Sequence, residues 1–146
     1  MLSKAQLARL INEHARRELY DDSGAAPVGF AIYSLADPRE LRVTRYIGQT
    51  SVPQRRFLQH MRTARLWLPD ELPWWVLQPK LRPLYTWLRA LHAEGHRLPT
   101  MVIHAWVDSV RAARLAERAR ICEALAQDLP ICNVEREWRG PQTSLI

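Results

Sequence analysis

Arg56 and His60 are the first residues whose types and spacing could do chemistry. They are four residues apart, so a helix would place them one turn from each other on the same face. A guanidinium can bind a phosphate through two hydrogen bonds, and a neighbouring imidazole can donate to it or accept a proton. The pair could therefore clamp a phosphate. The same spacing also fits an arginine and a histidine on a solvated helix face.

Glu117 is the second such feature. Steps of three and four residues along the last predicted helix follow an apolar stripe that is interrupted by this carboxylate, so we expect Glu117 to point inward. A buried charge is costly unless an arginine or a metal ion compensates it. A buried ion pair and a metal ligand both remain open. The apolar members of the stripe are Val110, Ala113, Ile121 and Ala124.

Apolar periodicity and turn residues predict the elements that must position these side chains. Ser3 and Gln6 have the spacing of a capping box before a helix over residues 4 to 19. Strands at 28 to 35 and 41 to 47 flank turn residues 37 to 40 and form a hairpin, with Tyr33 in one strand and Tyr46 in the other. By themselves the two tyrosines fit core aromatics as well as catalytic groups.

The second half of the chain continues with helices and one strand. Pro53 begins a helix over 53 to 66, and the proline- and tryptophan-rich segment 67 to 83 is expected to be a packed loop. Helical periodicity resumes at residue 84 and stops at Gly95, and a strand over 100 to 107 and a helix over 109 to 126 follow. This order predicts a small α+β domain with a three-stranded, antiparallel-type sheet flanked by helices.

Composition limits the class of protein. The chain has 146 residues, of which 47% are hydrophobic and 25% charged, so it is long enough for one domain with its own core. The net charge of +6 favours a polyanionic partner. Only Lys4 and Lys80 are lysines, and the excess of arginine favours phosphate over a membrane surface. A basic protein without such a partner is the alternative.

The two cysteines, Cys122 and Cys132, are too few for a disulfide framework or a structural zinc site, and we expect both to be reduced, buried small hydrophobic residues. The amino-terminal segment lacks an apolar run typical of a signal peptide or a membrane span. We therefore expect a cytoplasmic protein that does not bind membranes.

The joint spacing of the chemical residues resembles the GIY-YIG endonuclease family. In that family a Gly-Ile-Tyr strand precedes a Tyr-Ile-Gly strand, an arginine follows the second tyrosine by ten residues, and a histidine comes four residues later. The corresponding residues here are Ala31-Ile32-Tyr33, Tyr46-Ile47-Gly48-Gln49-Thr50, Arg56 and His60.

The resemblance continues to residue 134 and so covers most of the chain. Ala31 replaces the glycine of the first motif, and Arg120 replaces an aromatic residue often found after the family's glutamate. We expect residues 1 to 25 to be an N-terminal helical extension, 26 to 135 the nuclease-like domain and 136 to 146 a C-terminal tail. The later residues that fit the family pattern are Gly95, Ala116-Glu117, Ile121 and Asn133.

The resemblance implies a divalent-metal-dependent DNA endonuclease. Glu117 would hold one Mg²⁺ or Mn²⁺, which polarises the scissile phosphate and stabilises the departing 3′ oxygen. Arg56 would neutralise charge that grows on the phosphate. Tyr33 would accept a proton from the attacking water, with His60 as the alternative base. Tyr46 and His60 would position the water and the phosphate.

The same resemblance indicates duplex or branched DNA as the partner. Arg55, Arg56 and Asn133 are expected to contact phosphate or DNA, with Asn133 orienting groups near the metal. A homodimer or a targeting partner could supply specificity, because the chain has no room for a large second domain. Two other functions stay open: a catalytically inactive nucleic-acid-binding module on the same fold, and a structural or protein-binding domain. The second is favoured by aromatic residues typical of interfaces, namely Trp67, Trp74, Trp75 and Trp87.

Overall fold

The computed structural model describes residues 2–17 and 19–134. Its sheet and helices come from short segments that follow one another closely along the chain. In order, these are α1 (Lys4–Arg17), β1 (Tyr20–Asp21), β2 (Phe30–Ala36), β3 (Thr44–Thr50), α2 (Pro53–Ala64), a 3₁₀ helix (Trp74–Leu77), α3 (Arg82–Ala93), β4 (Thr100–Val107) and α4 (Val110–Ala126).

The α+β class is confirmed, but the predicted number of strands is wrong. The sheet has four strands in the order β1-β4-β2-β3, with β2 antiparallel to both neighbours and β1 parallel to β4. The antiparallel part therefore matches the expected three strands, and β1 makes the sheet mixed. β1 has only two residues, both exposed, so it lacks the apolar alternation that predicts a strand.

Two hydrophobic clusters cover opposite faces of the sheet. The larger one packs α1, α2 and α3 against Tyr33 and Leu35 of β2 and their neighbours on β4. The smaller one joins Ile47 of β3 to Ile121 and Ala124 of α4. Cys132 belongs to the larger cluster, but Cys122 is exposed, so the prediction that both cysteines are buried is wrong for Cys122. β2 lies between two strands and beneath helices on both sides, which explains why all of its residues after Phe30 are buried.

Local signals for the helices are mostly confirmed. The Ser3 hydroxyl accepts from the backbone N–H of Gln6, whose side chain accepts from the Ser3 N–H, so the capping box is present. Pro53 begins α2, and the Ser109 hydroxyl caps α4 by accepting from the N–H of Ala112. The predicted loop 67 to 83 contains the 3₁₀ helix, in which Trp75 is buried. α3 begins at Arg82, so the last two residues of the predicted loop are helical.

The first helix, α1, packs into the core of the domain. Leu7, Ile11 and Ala15 of α1 lie in the larger cluster, so the predicted N-terminal extension shares its core with the rest of the domain. The predicted tail over 136 to 146 lies outside the described residues. Among the helices of residues 2–17 and 19–134, none has the length and apolar character needed to cross a membrane.

Candidate active site

Four of the five predicted catalytic residues meet on the face of the sheet that α2 and α3 cover. Tyr33 comes from β2, Tyr46 from β3, and Arg56 and His60 from α2. The Tyr46 and His60 rings meet edge-on, with centroids 5.5 Å apart, and the Tyr33 and Tyr46 rings are 6.3 Å apart. Three separate elements therefore bring these groups into one cluster.

Gly48 makes room for the first tyrosine. It lies opposite Tyr33 in the antiparallel β2–β3 pair, and a Cβ added to it would be 2.5 Å from the phenol oxygen of Tyr33. Heavy atoms cannot approach so closely without a shift of the ring or the strand. The glycine of the Tyr46-Ile47-Gly48 segment thus has a packing role, which is to let the Tyr33 ring lie across β3.

A chain of hydrogen bonds runs through the buried histidine. His60 Nε2 is 2.7 Å from the Tyr33 hydroxyl oxygen, and His60 Nδ1 is 3.1 Å from that of Tyr85 on α3. His60 and Tyr33 have no exposed surface, and Tyr85 is also buried. Both ring nitrogens are therefore used inside the protein, where they link β2, α2 and α3.

His60 is uncharged in this environment. Burial, and then the nearby positive charge of Arg56, lower the pKa of His60 to about 3. A neutral imidazole has one N–H donor and one acceptor nitrogen, so the ring donates to one phenol oxygen and accepts from the other hydroxyl. At neutral pH His60 is a rigid hydrogen-bonding link and carries no charge.

Arg56 is the cation of the cluster. Burial raises the pKa of Tyr33 well above its ordinary value and that of Tyr46 to about 12, and in both cases Arg56 opposes the rise through charge and hydrogen bonding. The Arg56 side chain is half-buried, so it joins the buried tyrosines to the surface. Its guanidinium therefore has protein groups on one side and solvent on the other.

Glu117 lies at the border of the same cluster. It is half-buried on α4, and its carboxylate contributes to the raised pKa of Tyr46, after the larger effects of burial, Arg56 and Tyr85. The described residues contain no group of three or more histidine, cysteine, aspartate or glutamate side chains able to hold a metal. Glu117 could supply one carboxylate ligand to a hard ion, whose remaining ligands would be waters and substrate oxygens.

Asn133 and Arg55 have different surroundings from the cluster. The Asn133 side-chain oxygen accepts from the N–H of Ile47 at 2.9 Å, and its amide nitrogen donates to the Ile47 carbonyl at 2.8 Å. Its polar atoms thus hold β3 next to Tyr46. Arg55 is exposed at the start of α2.

Tyr85 is the member of the cluster that the sequence prediction missed. The apolar residues that predict this helix are Leu84, Trp87, Leu88 and Leu91, of which the three leucines are buried in the structure. Tyr85 lies next to Leu84 and is also buried, and its hydroxyl needs a partner there. A tyrosine beside a predicted apolar face was the available signal, but nothing local indicated a histidine 25 residues earlier as that partner.

Comparisons of the chain with models of protein families, with curated proteins and with solved structures found no match. A function is therefore inferred from the residues of this cluster and from their spacing in the sequence.

Proposed function

We propose that the protein is a divalent-metal-dependent DNA endonuclease of the GIY-YIG type that hydrolyses phosphodiester bonds. The observation that carries the proposal is the position of Arg56. It lies one helical turn before His60, whose ring meets those of Tyr33 and Tyr46 at centroid distances of 6.0 and 5.5 Å. The positive charge of Arg56 lowers the pKa of both tyrosines against the effect of burial, and the Glu117 carboxylate raises that of Tyr46. Motif spacing that resembles a nuclease family supports the same assignment.

Arg56 is the group that binds the phosphate. Charge grows on the non-bridging oxygens as phosphodiester hydrolysis proceeds, and a fixed donor aimed at them lowers the barrier. A guanidinium can donate to two oxygens in parallel. Partial burial and a hydrogen bond of 3.3 Å to the Gln59 side-chain oxygen limit the conformational freedom of Arg56. Arg56 therefore stabilises the transition state more than it stabilises the bound substrate.

Tyr46 contacts the attacking water in this proposal. Its side chain is half-buried, whereas Tyr33 has no exposed surface, so a direct transfer from water to Tyr33 requires that Tyr33 first gains contact with solvent. Tyr33 and His60 do not contact the substrate in this proposal. They fix the orientation of Tyr46 and Arg56. The proton-accepting role that the family resemblance assigns to Tyr33 stays a prediction, and the tyrosine variants below test it.

Glu117 would hold one Mg²⁺ or Mn²⁺. When bound, such an ion polarises the scissile phosphate and stabilises the leaving oxygen. The negative charge of Glu117 also raises the pKa of Tyr46. A cation that neutralised this carboxylate would therefore remove one cause of the raised pKa. Glu117 thereby couples occupation of the cation site to the state of the tyrosine beside it.

DNA is the proposed partner because of charge. The chain carries a net charge of +6, and exposed Arg55 lies next to Arg56 at the start of α2. Arginines at such positions release counterions when they bind phosphates, so affinity should fall steeply with added salt. Duplex and branched DNA are both substrates to be tested.

The test is cleavage of supercoiled plasmid, linear duplex and branched DNA with Mg²⁺ or Mn²⁺. We expect nicked and linear products with either ion and none with a chelator. Arg56→Lys should lower kcat about 100-fold or more, because lysine cannot replace a bidentate donor. Glu117→Gln should abolish cleavage, whereas Glu123→Gln, an exposed glutamate on the same helix, is the matched control and should cut like the wild type.

Comparison of Tyr46→Phe with Tyr33→Phe separates the two tyrosine roles. A larger loss of kcat in Tyr46→Phe supports direct contact with water, and a larger loss in Tyr33→Phe supports the base assigned by resemblance. The endonuclease proposal is wrong if every substrate stays intact with both ions. DNA binding without cleavage would then favour the inactive binding module.

A further inference from the structure

A groove lined by cations and tryptophans lies at the far end of α2 from Arg56. Its volume is about 340 Å³, and no acidic residue is among the residues that line it. We call it the basic aromatic groove. It is lined by Lys4, Arg62, Thr63, Arg65, Trp67 and Trp74.

Trp74 is exposed, although the next residue, Trp75, is buried in the core. The Trp74 side chain is 60% exposed, whereas Trp75 is 2% exposed and its indole N–H donates to the Thr63 carbonyl at 2.7 Å. Arg89 packs over the Trp75 ring and donates to the carbonyls of Leu68 and Glu71, which fixes the preceding loop. An indole is therefore presented to solvent from a backbone that is held in place.

Arg62 of the groove and Arg56 of the cluster belong to the same helix, α2. Arg62 follows Arg56 by six residues, which is about 9 Å along the helix axis. A stacked strand advances about 3.4 Å per nucleotide, so this distance corresponds to roughly three nucleotides. Arg55 and Arg62 are seven residues apart and both exposed on one face of α2, so this face carries a cation towards each end of the helix.

We infer that the basic aromatic groove binds an unpaired stretch of nucleic acid next to the cleaved bond, with a base stacked on Trp74 and phosphates bound by Arg62 and Lys4. The inference deepens the proposed endonuclease function and rests on it for the position of the cleaved bond. It assigns the substrate class, which is DNA with a single-stranded segment, such as a flap or a branch.

The chemistry of the groove selects unpaired bases. The face of a base in a continuous duplex is covered by its neighbours, so an indole can stack on it only where the strand is open. Stacking of this kind tolerates any sequence because every base has a flat face. Arg65 is paired with Glu71, so Lys4 and Arg62 are the cations of the groove that favour a polyanion over an apolar peptide. Lys4 lies over the Trp67 ring, and Trp74 is the exposed tryptophan of the groove on which a base can stack.

Binding is tested without cleavage. The full chain is titrated, with a chelator present, into a labelled twelve-nucleotide oligothymidine, and fluorescence anisotropy gives Kd. Trp74→Ala should weaken binding about 5-fold or more, and Trp74→Phe should restore most of the affinity because a flat ring remains. Leu77→Ala is the matched control, since Leu77 is an 82% exposed apolar residue of the same 3₁₀ helix that does not line the groove.

Charge is tested with Arg62→Gln. Loss of one phosphate contact should lower the slope of log Kd against log salt by about 0.7 for a single strand. Arg111→Gln, an exposed arginine on α4, is the control for net charge. In the cleavage assay, Trp74→Ala should reduce the preference for flap over blunt duplex, whereas Arg111→Gln should leave this ratio unchanged.

The outcomes separate the two proposals. Oligothymidine binding that depends on Trp74 supports the groove even if no substrate is cut, which would contradict only the endonuclease. Cleavage of duplex with no effect of Trp74→Ala on binding or on flap preference overturns the groove and leaves the endonuclease intact. Equal losses in Trp74→Ala and Leu77→Ala, or no binding of the oligonucleotide, also overturn it.

Discussion

His60 should make the fold sensitive to acid. Its pKa falls from 6.5 to about 3 on folding because it is buried beside Arg56. Between these two pH values the unfolded chain binds a proton that the folded chain does not, so stability decreases as the pH falls. The contribution of His60 is complete above pH 6.5 and is lost progressively down to about pH 3.

The size of the effect follows from the shift. Each pH unit below 6.5 costs about 1.4 kcal/mol, so His60 should remove about 2 kcal/mol from the free energy of unfolding at pH 5 relative to pH 7. For a domain of this length that is a fall in Tm of about 4 to 8 °C. The pKa values of His92 and His104 are also lowered by burial, so they add to the total loss in the same window.

The contribution of His60 is obtained by comparing the stability of the wild type with that of a variant that lacks the imidazole. Urea unfolding of the wild type and of His60→Gln is followed between pH 7 and pH 5, where carboxylates other than strongly perturbed ones stay ionised. The variant should be less stable at pH 7 and should lose about 2 kcal/mol less than the wild type over this range. Parallel curves for the two proteins would refute the neutral, buried state of His60. They would also reopen its role as a base that titrates near neutral pH.

Four substitutions test packing and backbone conformation. Gly48→Ala should cost about 1–3 kcal/mol of unfolding free energy, because its Cβ would lie 2.5 Å from the Tyr33 hydroxyl, and urea denaturation measures this. Asn133→Leu removes both side-chain hydrogen bonds to β3 and should cost about 2 kcal/mol or more by the same assay, with a fall in cleavage rate. Gly29→Ala should destabilise more than Gly24→Ala in thermal unfolding. Both glycines have φ near +70°, but only at Gly29 would the Cβ lie 2.5 Å from a backbone carbonyl oxygen. Equal melting temperatures of the two variants would contradict the steric reason.

Elements with a strong local signal were predictable from the sequence. β4 has the expected bounds, and α4 begins directly after its Ser109 cap. β3 was predicted over 41 to 47 but spans Thr44–Thr50. Its polar end continues because the backbone of Thr50 pairs with Ala31 of β2. Backbone pairing between strands is a tertiary interaction that side-chain alternation does not report.

The site was predictable as a set of residue types and less so as an arrangement. Helical spacing alone predicts that Arg56 and His60 lie on one face. Periodicity predicts that Glu117 points inward, and in the structure it is half-buried. That His60 is fully buried while Arg56 is half-buried could not be predicted from α2 alone. The hydroxyls that bind the buried His60 ring belong to Tyr33 on β2 and Tyr85 on α3. Without knowledge of those partners, a histidine on α2 fits a solvated face equally well.

Asn133 has a consequence for how β3 can pair. β3 is an edge strand, and edge strands with free backbone groups can slide along a neighbour or recruit a strand from another molecule. A slip of one residue would turn Tyr46 toward α4 and Ile47 toward the larger cluster. The Asn133 amide bonds to both backbone polar groups of Ile47, so it recognises one residue of the strand and stops such a slip. The direction in which Tyr46 faces is thus decided by an amide 86 residues from Ile47 along the chain.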